Sequence, residues 1–228
     1  MELLKKIVIN KSLKAYKLSL SISFMANISK YKNFCGEIIK VMPKLKAEGR
    51  VPMSVAQLME KRLDEQYSIK KPFSEIFVTG DAIAYYPEGR FKIVLDSQIL
   101  RDLNPNTRLH NYSIRLSQKE FDLLEGKEFR VDDAGKLTDL LSKEEAKTHP
   151  VWRVLARDQG LLNEYVDYIF SQKKDNLGGM NVIIHPSLYG RPTLAPWTLF
   201  GLAERSFING DCYLNAPYTT LMGVLPEH

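Results

Sequence analysis

The residues with the clearest capacity for chemistry lie in a stretch that is almost empty of charge. Across residues 176–228 the formal charges are Arg191, Glu204, Arg205, Asp211 and Glu227, and Lys174 is the last lysine. A charge kept in an apolar region is costly unless it is paired, which singles out these few. Within the stretch, His185-Pro186-Ser187-Leu188-Tyr189-Gly190-Arg191-Pro192 follows an apolar run, residues 180–184, that reads as a buried strand. Strand ends that open into loops often carry reactive groups. There His185 would serve as a base, Tyr189 as an acid or hydrogen-bond donor and Arg191 as an anion clamp. Glu204 and Asp211 follow closely enough in sequence to return to the same region and complete a catalytic set. The competing arrangement involves no chemistry: His185 sits satisfied in the core, and Arg191 pairs with Glu204 or Asp211.

Other motifs carry less. Thr148-His149-Pro150-Val151-Trp152 puts a histidine at a helix start, where capping and packing are the commoner roles. Ser187 lacks a Gly-x-Ser-x-Gly setting, and neither Gly178-Gly179 nor Gly210 fits a phosphate-binding or dinucleotide loop. Cys35 and Cys212 stand far apart, and His110, His149, His185 and His228 show no paired spacing. Free thiols in a reducing compartment follow, with no metal and no cofactor expected.

Charge is spread unevenly. Residues 1–50 hold eleven Lys/Arg against Glu2, Glu37 and Glu48, while the whole chain of 228 residues has a net charge of only +5. Lys5, Lys6, Lys11, Lys14 and Lys17 are therefore candidate binding residues for phosphates or an acidic partner, with Arg205 as a sixth. Arg50 is the only arginine among residues 1–50. A lysine-dominated segment favours loose electrostatics over bidentate recognition of nucleic acid.

The elements that would position these groups follow from periodicity. A helix is expected from Phe34, with Ile38, Val41, Met42 and Leu45 on its apolar face and Gly49 ending it. Ser54 and Gln57 form a capping box for a second helix over Val55, Leu58, Met59, Arg62 and Leu63. Leu18, Leu20, Ile22 and Phe24 alternate with serines, a strand pattern. Residues 75–79 and 83–86 read as strands of a hairpin turning at Gly80-Asp81, followed by strands at 90–95 and 112–116. Ser117 and Glu120 cap a short helix over Phe121 and Leu124. A helix begins at Pro150, and another after Gly160 presents Leu162, Tyr165, Val166 and Ile169 on one side. Residues 198–205 suggest a short helix after Pro196, and 219–224 a closing strand.

Strands and helices do not alternate strictly, so the expected class is α+β: a mainly antiparallel sheet with packed helices and a helical N-terminal part. The division expected is a basic region, residues 1–70, with 1–24 loosely attached, and an α+β core, residues 71–228. The aromatic and proline residues of 176–228, Tyr213, Pro217 and Tyr218 among them, are expected to pack against protein. No apolar run reaches the roughly 20 residues needed to cross a bilayer. A cytoplasmic setting is expected. The favoured function is non-catalytic binding of a protein partner. The alternatives are a small enzyme acting on an anionic substrate, or a nucleic-acid-associated protein using residues 1–50.

Overall fold

The computed structural model describes residues 29–65, 76–110, 112–172, 179–184, 190–202, 205–211 and 213–226. The chain divides into two units, Met1–Lys32 and Asn33–His228. Of the first unit only residues 29–32 are described, and there the Ser29 hydroxyl donates to the Tyr31 carbonyl at 2.8 Å. The strand expected around Leu18 lies outside the described residues.

The fold is α+β, built on a sheet of eleven strands among the described residues. The spine of that sheet is β1 (Tyr31–Cys35), β11 (Thr220–Val224), β3 (Ile76–Tyr86), β9 (Thr193–Leu202), β10 (Arg205–Asn209) and β8 (Gly179–Ile183), in that spatial order. From this spine β2 (Val51–Pro52) pairs with β11, β4 (Arg90–Val94) joins β3 to β7 (Lys127–Arg130), and β6 (Ser113–Arg115) joins β9 to β5 (Leu109–His110). Among these pairs β11 with β3 and β10 with β8 run parallel, while β3 runs antiparallel to both β4 and β9.

Both faces of the spine are covered, which is why β3 reads as a continuous buried run from Val78 to Tyr85. On one face α1 (Ile38–Ala47) lays Ile38, Val41, Met42 and Leu45 in a cluster with Ala82, Ala84, Leu194, Leu214 and Leu221. The cluster also takes in Leu100 of α3 (Gln98–Arg101) and Phe121 of α4 (Gln118–Leu123). Elsewhere on the sheet α2 (Val55–Glu65), α5 (Lys143–Thr148), α6 (Pro150–Ala156) and α7 (Gln159–Ser171) pack on β3, β4, β8 and β9. Trp152, Tyr165 and Trp197 are fully buried. The two expected capping boxes close: Ser54 with Gln57 at 3.0 and 3.2 Å, and Ser117 with Glu120 at 2.7 and 3.2 Å.

Arg62 sits on the buried face of α2, where its spacing placed it among apolar residues. One guanidinium nitrogen donates to the Tyr165 hydroxyl at 2.7 Å, the Ser206 hydroxyl at 3.4 Å and the Phe200 carbonyl at 3.4 Å. Neutral oxygens thus solvate a cation that carries no carboxylate partner among the described residues. In a low-dielectric interior those bonds are strong and their loss costly.

Three local expectations change. Phe34 belongs to β1, and Gly36, at φ +131°, separates that strand from α1. Gly80-Asp81 is no hairpin turn, because β3 runs through it with a bulge. Val78 pairs with Thr198 and Ala82 with Pro196, so the stretch between them on β3 outgrows its partner. Pro196 has no N–H to give a ladder, and a bulge is where a central strand tolerates one. The hairpin turn lies at residues 87–89 instead, with left-handed Glu88 and Gly89. The helix expected over 198–205 does not form either: its described residues belong to β9 and β10. Thr198, Leu199 and Phe200 pair with β3 on one side and β10 on the other, which outweighs local preference and leaves Gly201 in a strand.

Residues 179–226 supply two of β3's three partners, β9 and β11, and bury Met180, Leu194, Trp197, Leu199, Ile208 and Leu221. A chain ending at Asn176 is therefore expected to show no cooperative thermal transition by calorimetry. A soluble fragment that unfolds cooperatively would contradict this packing.

Candidate functional site

The residues singled out in the sequence meet different fates. Lys5, Lys6, Lys11, Lys14, Lys17, His185, Tyr189 and Glu204 lie outside the described residues. Arg205 opens β10. Arg191 is exposed. Asp211 accepts a hydrogen bond from the Tyr85 hydroxyl at 3.0 Å. Among the described residues no group of three His, Cys, Asp or Glu side chains is placed to hold a metal ion, and no helix is long and apolar enough to cross a membrane.

Asp211 belongs to the loop after β10, whose described residues are tied down at Gly210, Asp211, Leu214 and Thr219. Its own N–H donates to the Asn209 side-chain oxygen at 2.7 Å. The Gly210 N–H reaches the Ile183 carbonyl at 3.0 Å. A β-carbon on Gly210 would come within 2.6 Å of the Tyr85 hydroxyl, so glycine is what lets the loop leave β10 here. Further on, the buried Leu214 donates to the Tyr112 carbonyl and accepts from the Ile38 N–H, both at 3.0 Å. At the far end Thr219 donates its hydroxyl to the Gly36 carbonyl at 2.7 Å, and Gly36 returns its N–H to Thr219 at 3.0 Å.

What this anchored loop displays is aromatic. Tyr213 is 54% exposed and Tyr218 is 92% exposed. Tyr112, from the turn of the β5–β6 hairpin, is 52% exposed and held at φ +65°. The Tyr112 and Tyr213 rings meet edge to face, with centroids 4.8 Å apart. The expectation that the aromatics of residues 176–228 pack against protein fails at Tyr218, and Tyr213 meets it only in part, through the Tyr112 ring. Composition alone could not separate them from the buried Trp197, because loop tyrosines keep a polar tip and tolerate water.

The second constellation centres on Asp81, in the β3 bulge and fully buried. One carboxylate oxygen accepts from the Val55 N–H at 2.8 Å, at the start of α2. The other accepts from the Asp96 N–H at 2.9 Å and from the Arg157 guanidinium at 2.7 Å. Arg157 also donates to the Asp96 carboxylate at 2.7 Å, and Arg101 lies 3.3 Å from it. Burial pushes the Asp81 carboxyl above its ordinary value, against the pull of Arg157 and of the Asp96 and Val55 N–H groups. Every partner is an N–H donor, the pattern that suits the ionised form. The sequence signal for this site was a lone acid inside an apolar strand run.

His149 is buried at the start of α6, with Nε2 2.9 Å from the Lys136 carbonyl. That contact makes Nε2–H the donor and leaves Nδ1 bare, buried and without a partner. Burial holds the imidazole below its ordinary 6.5, although the Lys136 carbonyl and the Glu145 charge pull it up. The residue packs at the helix start.

No protein-family model matches the chain, and no curated protein matches it. A solved structure described as "Accommodation of massive sequence variation in Nanoarchaeota by the C-type lectin fold" is similar in fold. It is 15% identical, with a TM-score of 0.64, covering 87% of this chain and 99% of that one. The likeness shows that the chain has the C-type lectin fold.

Two measurements check these assignments. Asp81→Ala strands the Arg157 charge and two backbone donors, and is expected to cost about 3–5 kcal/mol in urea unfolding. Asp96→Asn, at a half-exposed carboxylate in a left-handed position that Asn tolerates, is expected to cost about 1 kcal/mol or less. For His149 the unfolded state takes up a proton first, so its contribution is complete above about pH 6.5 and is lost as pH falls below that. The Tm of the wild type should fall between about pH 7 and pH 5 more steeply than that of His149→Gln. Parallel curves would place the imidazole in contact with water.

Proposed function

We propose that this protein is a binding protein that presents the anchored tyrosine loop to a protein partner. The observation that carries the reading is the combination of a fixed backbone with outward rings. Residues 210–219 are bonded to Ile183, Tyr112, Ile38 and Gly36, while Tyr112, Tyr213 and Tyr218 face solvent. Tyrosines on a held backbone supply large contact area at small entropic cost, because only two side-chain torsions remain to be fixed. Such residues are also prominent among those that dominate binding energy at protein interfaces.

The fold supports the same reading. The similar structure concerns a C-type lectin fold that accommodates massive sequence variation. Here the loop backbone is held by the core bonds, while Tyr112 and Tyr213 brace each other edge to face and keep about half of their surface in solvent. Asp211 then belongs to the binding apparatus as an anchor, through Tyr85, and contributes no proton transfer.

The test is selection of ligands from a displayed peptide library on the wild-type chain. The selected peptides are then titrated against Tyr112→Ser/Tyr213→Ser/Tyr218→Ser. Loss of about 2 kcal/mol or more in binding, with Tm unchanged, is the expected outcome. Ligands that bind both chains equally would contradict the reading.

A further inference from the structure

A recess away from the tyrosine loop is lined by other residues. Lys127 and Phe129 of β7, with Pro150, Arg153 and Val154 of α6 and then Arg157, line an open cleft of about 510 Å³. Its lining divides by chemistry. Phe129, Pro150 and Val154 offer apolar surface, and Phe129 is held in place by stacking on Phe91 at 5.4 Å. Lys127, Arg153 and Arg157 offer cations.

Among the described residues many surface cations pair with carboxylates: Lys40 with Glu37, Lys46 with Asp102, Arg90 with Glu128, Lys136 with Glu145, and Lys143 and Lys147 with Asp167. Others, such as Lys44, Arg108, Arg115, Lys119 and Arg130, are exposed outside any ion pair, and what sets the cleft apart is that its unpaired cations border apolar surface. Asp81 and Asp96 are taken up by Arg157 and Arg101. Lys127 and Arg153 have no carboxylate within ion-pair distance among the described residues, so the cleft carries two uncompensated positive charges. Arg157 adds rigidity. It ends α6 in the left-handed region at φ +64°, a conformation disfavoured for a residue with a β-carbon. Such strain persists where the surroundings over-determine it, here through Asp81 and Asp96.

We propose that this cleft binds a small phosphate monoester carried on a flat apolar body. A phosphate monoester near neutral pH carries a charge of about −1.5 to −2, which matches the two unpaired cations. The phosphate group would sit between Lys127 and Arg153, with Arg157 as a fixed flank, and the body would lie against Phe129, Pro150 and Val154. An apolar surface with a few charged groups fixing orientation is the usual composition of a small-molecule site. This site is independent of the tyrosine loop, and either proposal can fail without the other.

The experiment is a low-salt titration of the full chain with phenyl phosphate, inorganic phosphate and phenol, followed by calorimetry and by amide chemical shifts. Phenyl phosphate is expected to bind about tenfold or more tighter than either fragment, to shift amides of residues 127–130 and 150–157, and to weaken with added salt. Lys127→Gln/Arg153→Gln is expected to lose about tenfold or more in affinity with its unliganded Tm unchanged, and Arg153→Lys to retain most of it. Absence of saturable binding at about 10 mM would overturn the proposal. So would equal affinity in the double variant, which would place the anion elsewhere, or phenol binding as well as phenyl phosphate. If the double variant loses Tm, the shift map and the Arg153→Lys affinity still decide the matter.

Discussion

Asp81 is the point on which the arrangement turns. A single carboxylate with no exposure holds together four pieces of chain that are distant in sequence: the bulge of β3, the first turn of α2, the bend after β4 and the α6–α7 junction. Placing an anion there is unfavourable by burial alone, and the site is tolerable because every lone pair in use meets an N–H. The bulge that houses it also explains Pro196, which would otherwise interrupt the strand at the centre of the sheet. Arg157 receives its left-handed backbone from the same knot, so the shape of the cationic cleft is inherited from Asp81.

A core fixed in this way leaves the loops little structural duty. The loop after β10 is bonded through its backbone and through Asp211 and Thr219, while the Tyr213 ring meets Tyr112 edge to face and Tyr218 is 92% exposed. Arg62 illustrates the opposite case. It is a cation locked inside by Tyr165, Ser206 and Phe200, and it has no freedom at all.

The sequence made the helices more legible than the strands. α7 was visible because Leu162, Tyr165, Val166 and Ile169 recur at helical spacing, and the caps at Ser54 and Ser117 lie within three residues of their partners. The α+β class followed from the mixture of periods. Long-range pairing was not legible: β3 runs through Gly80-Asp81 as a bulge against β9, and the second half of β9 read locally as a helix. The candidate site suffered from the same limit. Asp211 was picked out as a rare charge, yet its partner Tyr85 is 126 positions away. Tyr112 and Tyr213 meet only because Leu214 reaches back to the β5–β6 hairpin.

The claim that Asp81 and Arg157 form one energetic unit is tested most directly by a double-mutant cycle. Urea unfolding of wild type, Asp81→Asn, Arg157→Met and the double variant gives the coupling between them. The account predicts a coupling energy of about 1.5 kcal/mol or more, with the double variant more stable than Asp81→Asn taken together with an independent loss at Arg157 would allow. Losses that add to within about 0.5 kcal/mol would contradict it, and would reduce the pair to two independent effects.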